Sequence, residues 1–415
     1  MAFTGVLFTS RAVARRGSEC TSFESSHYPS AHSLTHLMNI PKLAAYYFPN
    51  YHIDSMNERV MGDGWTEWEL VKSAKPRFEG HRQPTLPTWG YFDESLQCQM
   101  QRQVDAAVNA GIQAFLFDWY WFEDRPFLNR PLDDAFIKNR AGCGMEFALM
   151  WANHDWQNIF PAPKAPLDKQ PILFPNPPAS QIWENMTDYI TTTYLSQENY
   201  LRIDGCPFFF FFNLQAFIEG FENLDEAAKA LRVFDRKAQS VGAPRMHYSF
   251  RASEKIALAS EWTLSISPQE VASRLGMGSI GDYGWEFENP MASPPFPKYP
   301  YNNWSEHNIS SWSTKLAMGL PYSPCVQVGW DSTARCTDLE TLEPIGYPWW
   351  PVAEPFEVQT FKNNLLQAKE FAIAHGSPLV TINAWNEWTE GSYLLPCESY
   401  GDSRLKAVKE VFLPA

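Results

Sequence analysis

A single (β/α)8 barrel (TIM barrel) of the α/β class is the fold predicted by this 415-residue sequence. Three observations lead to it. From residue 42 onward, eight short apolar, aromatic-rich runs alternate with longer segments of helical periodicity. The runs are continuously apolar rather than alternating, as strands buried on both faces are. Polar and aromatic residues gather just past the runs, where a barrel builds its site. An open doubly wound sheet is the competing reading, but no Gly-rich phosphate turn follows the first run.

In chain order, the strands are expected at 43–48, 114–119, 147–151, 208–212, 246–250, 279–283, 325–328 and 379–383. Helices are expected at 94–110, 132–140, 180–195, 224–241, 305–318 and 357–375. In the first of these, Leu96, Met100, Val104, Ala107 and Val108 form one apolar stripe, and Gly111 supplies the stop. The five consecutive phenylalanines from Phe208 to Phe212 read as barrel core, not as a ligand stripe. Pro- and Gly-rich stretches at 51–89, 160–178, 285–303 and 331–355 follow strands as long βα loops, so one catalytic domain is expected over 41–415. Residues 1–40 are rich in Ser, Thr, Arg and His and hold only two acids, Glu19 and Glu24. They read as a disordered N-terminal extension whose three histidines form no metal site.

Composition narrows the function. The 33 Lys and Arg against 47 Asp and Glu give a net charge of −14, which argues against nucleic acid or an anionic membrane surface as partner. No apolar run is long enough to span a bilayer. The seven cysteines are scattered without a C-x-x-C pair and read as free thiols of a reducing compartment. With no secretory h-region, an intracellular location is expected, and oligomeric state is left open. Seventeen tryptophans exceed what a core requires. Trp65, Trp68, Trp119, Trp121, Trp151, Trp156, Trp330, Trp385 and Trp388 fall at strand ends or in the loops beyond, and are expected to form an aromatic rim to a wet cleft.

Reading off the strand ends names the site. After the first strand come Tyr47, Tyr51 and His52, with Trp65 and Glu67 in the loop; after the second, Asp118 and Tyr120. The third contributes Trp151, Asn153, His154 and Asp155, the fourth Asn213, the fifth Arg251 and the sixth Asp282 and Tyr283. Trp330 and Asp331 follow the seventh, and Asn386, Glu387, Trp388 and Glu390 the eighth. Carboxylates, amides and an Arg beside flat rings suit a polyhydroxylated ligand, an oligosaccharide or polysaccharide. Glu67 reads equally as a sugar ligand or as a tie for its loop, and Asp331 as a subsite residue or as an ion pair with Arg335. Asp118 is read as sugar-binding. His52 and His154 lack metal-ligand spacing and are expected to hydrogen-bond; no metal or cofactor is implied.

The sharpest pattern is Asn386-Glu387-Trp388-Thr389-Glu390-Gly391. Two glutamates three apart on one turn point the same way. Glycosidic cleavage needs such a pair, one acid ionised and the other protonated for the leaving oxygen, and mutual repulsion with burial supplies the asymmetry.

Six motifs occur in order: Tyr46-Tyr47-Phe48-Pro49, Gly64-Trp65-Thr66-Glu67-Trp68, Gly80-His81-Arg82-Gln83-Pro84, Trp151-Ala152-Asn153, Gly329-Trp330-Asp331-Ser332-Thr333-Ala334-Arg335, and Asn383-Ala384-Trp385 running into the Glu pair. Together they resemble the WbsX-type, glycoside hydrolase family 99-like family, over about residues 43–411. The resemblance implies a (β/α)8 barrel acting on carbohydrate. In the related endo-α-mannosidases a similar pair cleaves with retention through a 1,2-anhydro sugar. Carried over by position, Glu387 is the base at the 2-hydroxyl and Glu390 the acid/base. The chain departs from the family's Trp-Ala-Asn-Glu-Asn-Trp pattern at His154 and Asp155, and from Tyr-His-Tyr-Trp at Asp118, so the sugar itself is left open. The expectation is a retaining glycoside hydrolase acting on α-linked glycosidic bonds. The alternatives are a glycosyltransferase of cell-surface polysaccharide assembly and a non-catalytic carbohydrate-binding barrel.

Overall fold

The computed structural model describes residues 41–138, 144–252, 267–286, 296–337, 343–353, 355 and 357–413. The expected N-terminal extension, 1–40, lies outside the described residues. Nine parallel strands form the ring: β1 (Lys42–Tyr47), β2 (Ala114–Phe122), β3 (Glu146–Trp151), β4 (Cys206–Phe211), β5 (His247–Arg251), β6 (Ser279–Gly281), β7 (Tyr322–Ser323), β8 (Cys325–Gln327) and β9 (Leu379–Asn383). The pairing path runs β7-β6-β5-β4-β3-β2-β1-β9-β8. Its two ends, β7 and β8, are consecutive in the chain, with Pro324 between them. The pair thus fills one barrel position, bonding to β6 on one side and β9 on the other. Proline has no N–H for a ladder, but its carbonyl still accepts from Thr381 N at 3.0 Å. The eight-position barrel expected from the sequence is the barrel observed.

Besides short helical segments in the loops at Ser55–Met61, Trp68–Ser73 and Leu214–Glu219, the helices among the described residues are α1 (Gln97–Ala110), α2 (Pro131–Ile137), α3 (Ala179–Ile190, continued by Thr191–Leu195), α4 (Leu224–Ser240), α5 (Pro268–Leu275), α6 (Tyr301–Leu316), α7 (Val358–His375) and α8 (Ser403–Phe412). Gly111 ends α1 in the left-handed conformation, φ +91°. Helix α1 starts three residues later than the apolar stripe suggests. Asp93 accepts from Ser95 N at 2.8 Å and holds a turn there, while Glu94 is drawn inward to Tyr51 N at 2.7 Å. Helices α5 and α8 were not expected. The first is eight residues long, marked by its caps, Ser267 at the start and Gly276 at φ +68° after the end, rather than by a long periodic stripe.

Strand alternation divides the aromatics. On β1, Tyr46 points into the barrel against Phe210 and Tyr283, with centroids at 6.2 and 4.9 Å. Its neighbour Tyr47 points outward between Phe115 and Phe117 toward α1, where its hydroxyl meets Gln103. On β3, Trp151 likewise packs outward on Trp183 and Phe217. This corrects the aromatic rim. Of the nine tryptophans expected there, only Trp65 and Trp330 are even half-exposed. Trp119 donates outward to Tyr194, Trp385 to Gln103, and Trp388 stacks on Tyr393 at 4.1 Å. The tryptophan surplus is mostly packing, much of it in the layer between barrel and helices. Among the described residues, Cys206, Cys325, Cys336 and Cys397 are buried free thiols and Cys98 an exposed one, and no helix is long and apolar enough to cross a membrane.

One side chain ties the first and last strands together just beyond their ends. Asn386 accepts from Phe48 N and donates to Phe48 O, both at 2.8 Å, and donates to Glu94 at 3.1 Å. Asn386→Ala strands a buried N–H and C=O, each costing about 1–3 kcal/mol. We expect a loss of roughly 2–4 kcal/mol in urea unfolding. A change below about 0.5 kcal/mol, the range of ordinary surface substitutions, contradicts that account.

Candidate active site

The Glu-x-x-Glu unit is built as a small hairpin past β9. Asn386–Glu387 pairs antiparallel with Ser392–Tyr393, and a single tight turn, Trp388–Glu390, connects them. Gly391 reverses the chain at φ +67°; a Cβ there would meet Asp331 Cβ and N at 2.7 Å. The turn is pinned from outside. Tyr51 Oη accepts from Trp388 N at 2.9 Å and Thr389 N at 3.3 Å, and Asp331 N donates to Glu390 O at 2.6 Å. Both carboxylates are thereby fixed on one side, Glu387 2% and Glu390 8% exposed.

Between them lies the guanidinium of Arg335. It donates through Nη1 to Glu390 at 2.6 Å and through Nη2 to Glu387 at 2.9 Å. Nη2 and Nε also reach Glu67, at 2.7 and 3.1 Å. Arg335 comes from a short turn, Ser332–Arg335, capped by Asp331, whose carboxylate accepts from Thr333 N at 3.1 Å. The other oxygen of Asp331 is held by His81 at 2.9 Å and Gln83 at 2.7 Å. Burial pushes the Asp331 carboxyl up, but His81 and the hydrogen bonds to it outweigh this and leave it below its ordinary value. Tyr347 completes the cluster, donating to Glu390 at 2.5 Å and accepting from Arg335.

Three carboxylates around one cation cannot all remain charged out of water at ordinary acidity. Burial, then repulsion from Glu390, raises the Glu387 carboxyl well above its usual range, with Arg335 opposing. Burial also raises Glu390, against the pull of Arg335 and the Tyr347 hydrogen bond. A fourth acid, Asp118, stands nearby. Burial lifts it well above the usual aspartate value while Tyr283 opposes, donating to its Oδ2 at 2.8 Å. The same phenol lies 3.4 Å from Glu387, so it links the two acids. Burial keeps the Tyr283 and Tyr347 phenols protonated. On the far wall, His154 stacks edge-on to Tyr120 and lies against Phe212, its basicity lowered by burial. Arg251 sits 4.2 Å over the Phe212 ring.

Glu387, Glu390, Asp118, Tyr120, Tyr283, His154 and Arg251 therefore converge, while Trp65 and Trp330 are partly exposed. The other expected ligands do not line the cleft. Tyr47 and Trp151 face outward from the barrel, and Trp388 lies buried beneath the turn. Glu67 is fully buried, with Oε1 on Arg335 and Thr389 and Oε2 on Asn50 at 2.5 Å; it is a clamp, not a sugar ligand. Asn153 exchanges hydrogen bonds with the Asn213 backbone at 2.7 and 2.8 Å, and Asn386 does so with Phe48. Asp331 caps the turn that presents Arg335 and is not its ion partner. His52 is buried with its ring 3.5 Å from Glu94, and neither ring nitrogen finds the expected hydrogen bond among the described residues. Among those residues no three His, Cys, Asp or Glu are grouped to hold a metal.

Sequence reasoning missed Tyr347 and Phe212 and misplaced Arg335. Arg335 carried a signal, a lone cation closing a motif that precedes the Glu pair. Tyr347 sits in an irregular loop where no periodicity marks it, and Phe212 was hidden at the end of a five-phenylalanine run.

Comparison with known proteins follows from this geometry. The model of the family described as glycosyltransferase WbsX matches residues 43–408. The uncharacterized protein WxcX of Xanthomonas campestris pv. campestris, from two strains, is 25% identical over 400 residues, covering 90% of this chain and 50% of the relative. The chain thus spans about half the length of those curated relatives. Among solved structures, the GH99 endo-alpha-mannosidase from Bacteroides thetaiotaomicron superposes with a TM-score of 0.51 at 13% identity, covering 88% of this chain and 95% of that one. A glycoside hydrolase-like protein gives 0.57 at 14% identity, covering 93% and 97%. These last two share the fold.

Titration of the cluster has a sign. A carboxyl raised above its ordinary value of 4.5 binds its proton more tightly in the folded than in the unfolded chain, so stability is lost as pH rises from the unfolded through the folded value. Each unit of displacement is about 1.4 kcal/mol. Glu387→Gln, neutral throughout, escapes this loss. Its stability relative to wild type is expected to improve steadily in urea unfolding from pH 5 to pH 8. Parallel curves contradict the raised carboxyl.

Proposed function

The chain belongs to the WbsX family, and from that premise we propose that it is a retaining glycoside hydrolase cleaving α-linked bonds in an oligo- or polysaccharide. The observation that carries the reading is the pair of buried glutamates bridged by one guanidinium. Arg335 bonds both carboxylates on one side of the hairpin and Tyr347 bonds Glu390; retention is what the resemblance to the endo-α-mannosidases implies for such a pair. The related endo-α-mannosidase fold supports the choice of chemistry.

In this reading the pair shares one proton. Glu387 is the more strongly raised of the two in the free site, so the shared proton passes to Glu390 as sugar binds; Glu387, then ionised, takes the proton of the sugar's 2-hydroxyl, and that oxygen attacks C1. As the C1–O bond breaks, Glu390 gives its proton to the leaving oxygen. Glu390 then takes a proton from water, which opens the 1,2-anhydro ring at C1. The 2-oxygen recovers its proton from Glu387, and both acids return to their starting states. Arg335 stabilises whichever carboxylate is charged at each stage, and Asp118 acts on Glu387 through the Tyr283 phenol that lies between them. Tyr120 and His154 bind sugar hydroxyls and Phe212 packs on a C–H face.

The family's description favours one other reading, transfer from a nucleotide sugar. The sequence carries no Asp-x-Asp pair, and its Gly276-Met277-Gly278-Ser279-Ile280-Gly281 run leads from a helix into a strand, not from a strand into a helix as a phosphate turn does; the Glu pair fits hydrolysis better.

Kinetics test the proposal. On a panel of α-linked oligosaccharides, Glu390→Gln and Glu387→Gln are each expected to lower kcat by about 10²–10⁴-fold while oligosaccharide binding persists. Full activity in both variants contradicts the mechanism. Calorimetric titration with nucleotide sugars should give no heat; saturable binding favours the transferase.

A further inference from the structure

A second cavity lies behind the backbone that carries Glu390. It measures about 110 Å³, room for several waters, and is lined by Phe78, Arg82, Lys298, Trp330, Tyr400 and Arg404. Glu390 itself is not on its wall, but the next residue, Gly391, is, as is Asp331, whose N–H holds the Glu390 carbonyl. Trp330 lines the cavity and also packs against Tyr347, the phenol on Glu390, at 6.2 Å.

Its charge is unlike that of the chain as a whole. Three permanent cations, from distant parts of the sequence, converge here in a protein of net charge −14. Among the described residues that line it the one carboxylate is that of Asp331, whose two oxygens are already taken by His81, Gln83 and Thr333. Arg82 and Lys298 have no carboxylate partner among the described residues. Each cation instead lies over an aromatic ring: Lys298 over Phe78 at 5.3 Å, Arg82 over Tyr400 at 5.5 Å, and Arg404 over Tyr400 at 4.0 Å. Rings fix cations in place without neutralising them, and so leave the charge of Arg82 and Lys298 available to an incoming anion, whereas Arg404 already donates to Tyr393 O at 2.8 Å.

We propose that this cavity binds an anionic sugar residue, a uronate or a similarly carboxylated unit, of the glycan processed at the Glu pair. Arg82 and Lys298 bond the carboxylate, while Tyr400 and Trp330 face the ring. This rests on the reading of the chain as carbohydrate-active and adds that its glycan is acidic. The diphosphate of a nucleotide sugar offers the same charge, so the test separates the two.

The experiment is calorimetric titration of the purified protein with methyl α-glucuronide, methyl α-glucoside and UDP-glucose. The uronide is expected to bind, more weakly as salt rises, and the neutral glucoside not to bind here. In R82Q/K298Q, whose changed side chains are at least partly exposed and should leave the unfolding midpoint in place, uronide affinity should fall about tenfold or more. In Glu387→Gln it should hold within about twofold, since that carboxyl does not line the cavity. Uronide binding unchanged in R82Q/K298Q, or lost in Glu387→Gln alone, overturns the proposal. So does absence of uronide binding, or UDP-glucose binding that is tighter than the uronide's and disappears in R82Q/K298Q. Hydrolysis of neutral α-linked oligosaccharides is unaffected by these outcomes, so the cavity can fail while the Glu pair stands.

Discussion

One guanidinium shared by three carboxylates governs the centre of this molecule. Arg335 reaches Glu67, Glu387 and Glu390 at once, so three separate parts of the chain, the first long loop, the turn that carries Arg335 and the hairpin past β9, meet at one cation. Buried charges persist only when paired and hydrogen-bonded, so the loops that bring these four residues together must be held firmly. That demand accounts for much of the surrounding architecture. Asp331 caps the turn that carries Arg335 and is itself fixed by His81 and Gln83. Tyr51 pins the turn between the glutamates. Asn386 ties that hairpin to the end of β1.

The same constraint sets the chemistry. One cation cannot compensate three nearby acids with Asp118 beyond them, so carboxyls in the cluster are driven toward holding protons at neutral pH. An acid and a base side by side are what cleavage of a glycosidic bond asks for. The protein obtains both by placing like charges together around a single counter-ion, with Tyr283 and Tyr347 as phenolic donors that adjust each acid.

The barrel was legible because strands buried on both faces leave a strong apolar record, and the eight runs expected from it correspond to the strands observed. The Glu pair was legible because its two acids stand three residues apart at one turn. What was lost is what depends on side-chain direction. A one-residue step along a strand reverses the face, so Tyr46 points into the barrel and Tyr47, its neighbour, does not. Strand-end position alone treated Trp151 and Asp118 alike, although one packs outward on Trp183 and the other meets Tyr283. Glu67 and Asn386 looked like sugar ligands because amides and acids suit hydroxyls; in the fold they serve backbone and guanidinium. The basic cavity was invisible for a different reason. Arg82, Lys298 and Arg404 lie far apart in the sequence, and the net charge of an acidic chain conceals three cations brought together by its loops.

The central claim is that Glu387 and Glu390 act as one retaining pair. It is tested most directly by proton NMR of the first product released from an α-linked oligosaccharide, read before mutarotation. The account predicts that the α-anomer appears first and the β-anomer only as the sugar equilibrates. Initial release of the β-anomer would contradict it.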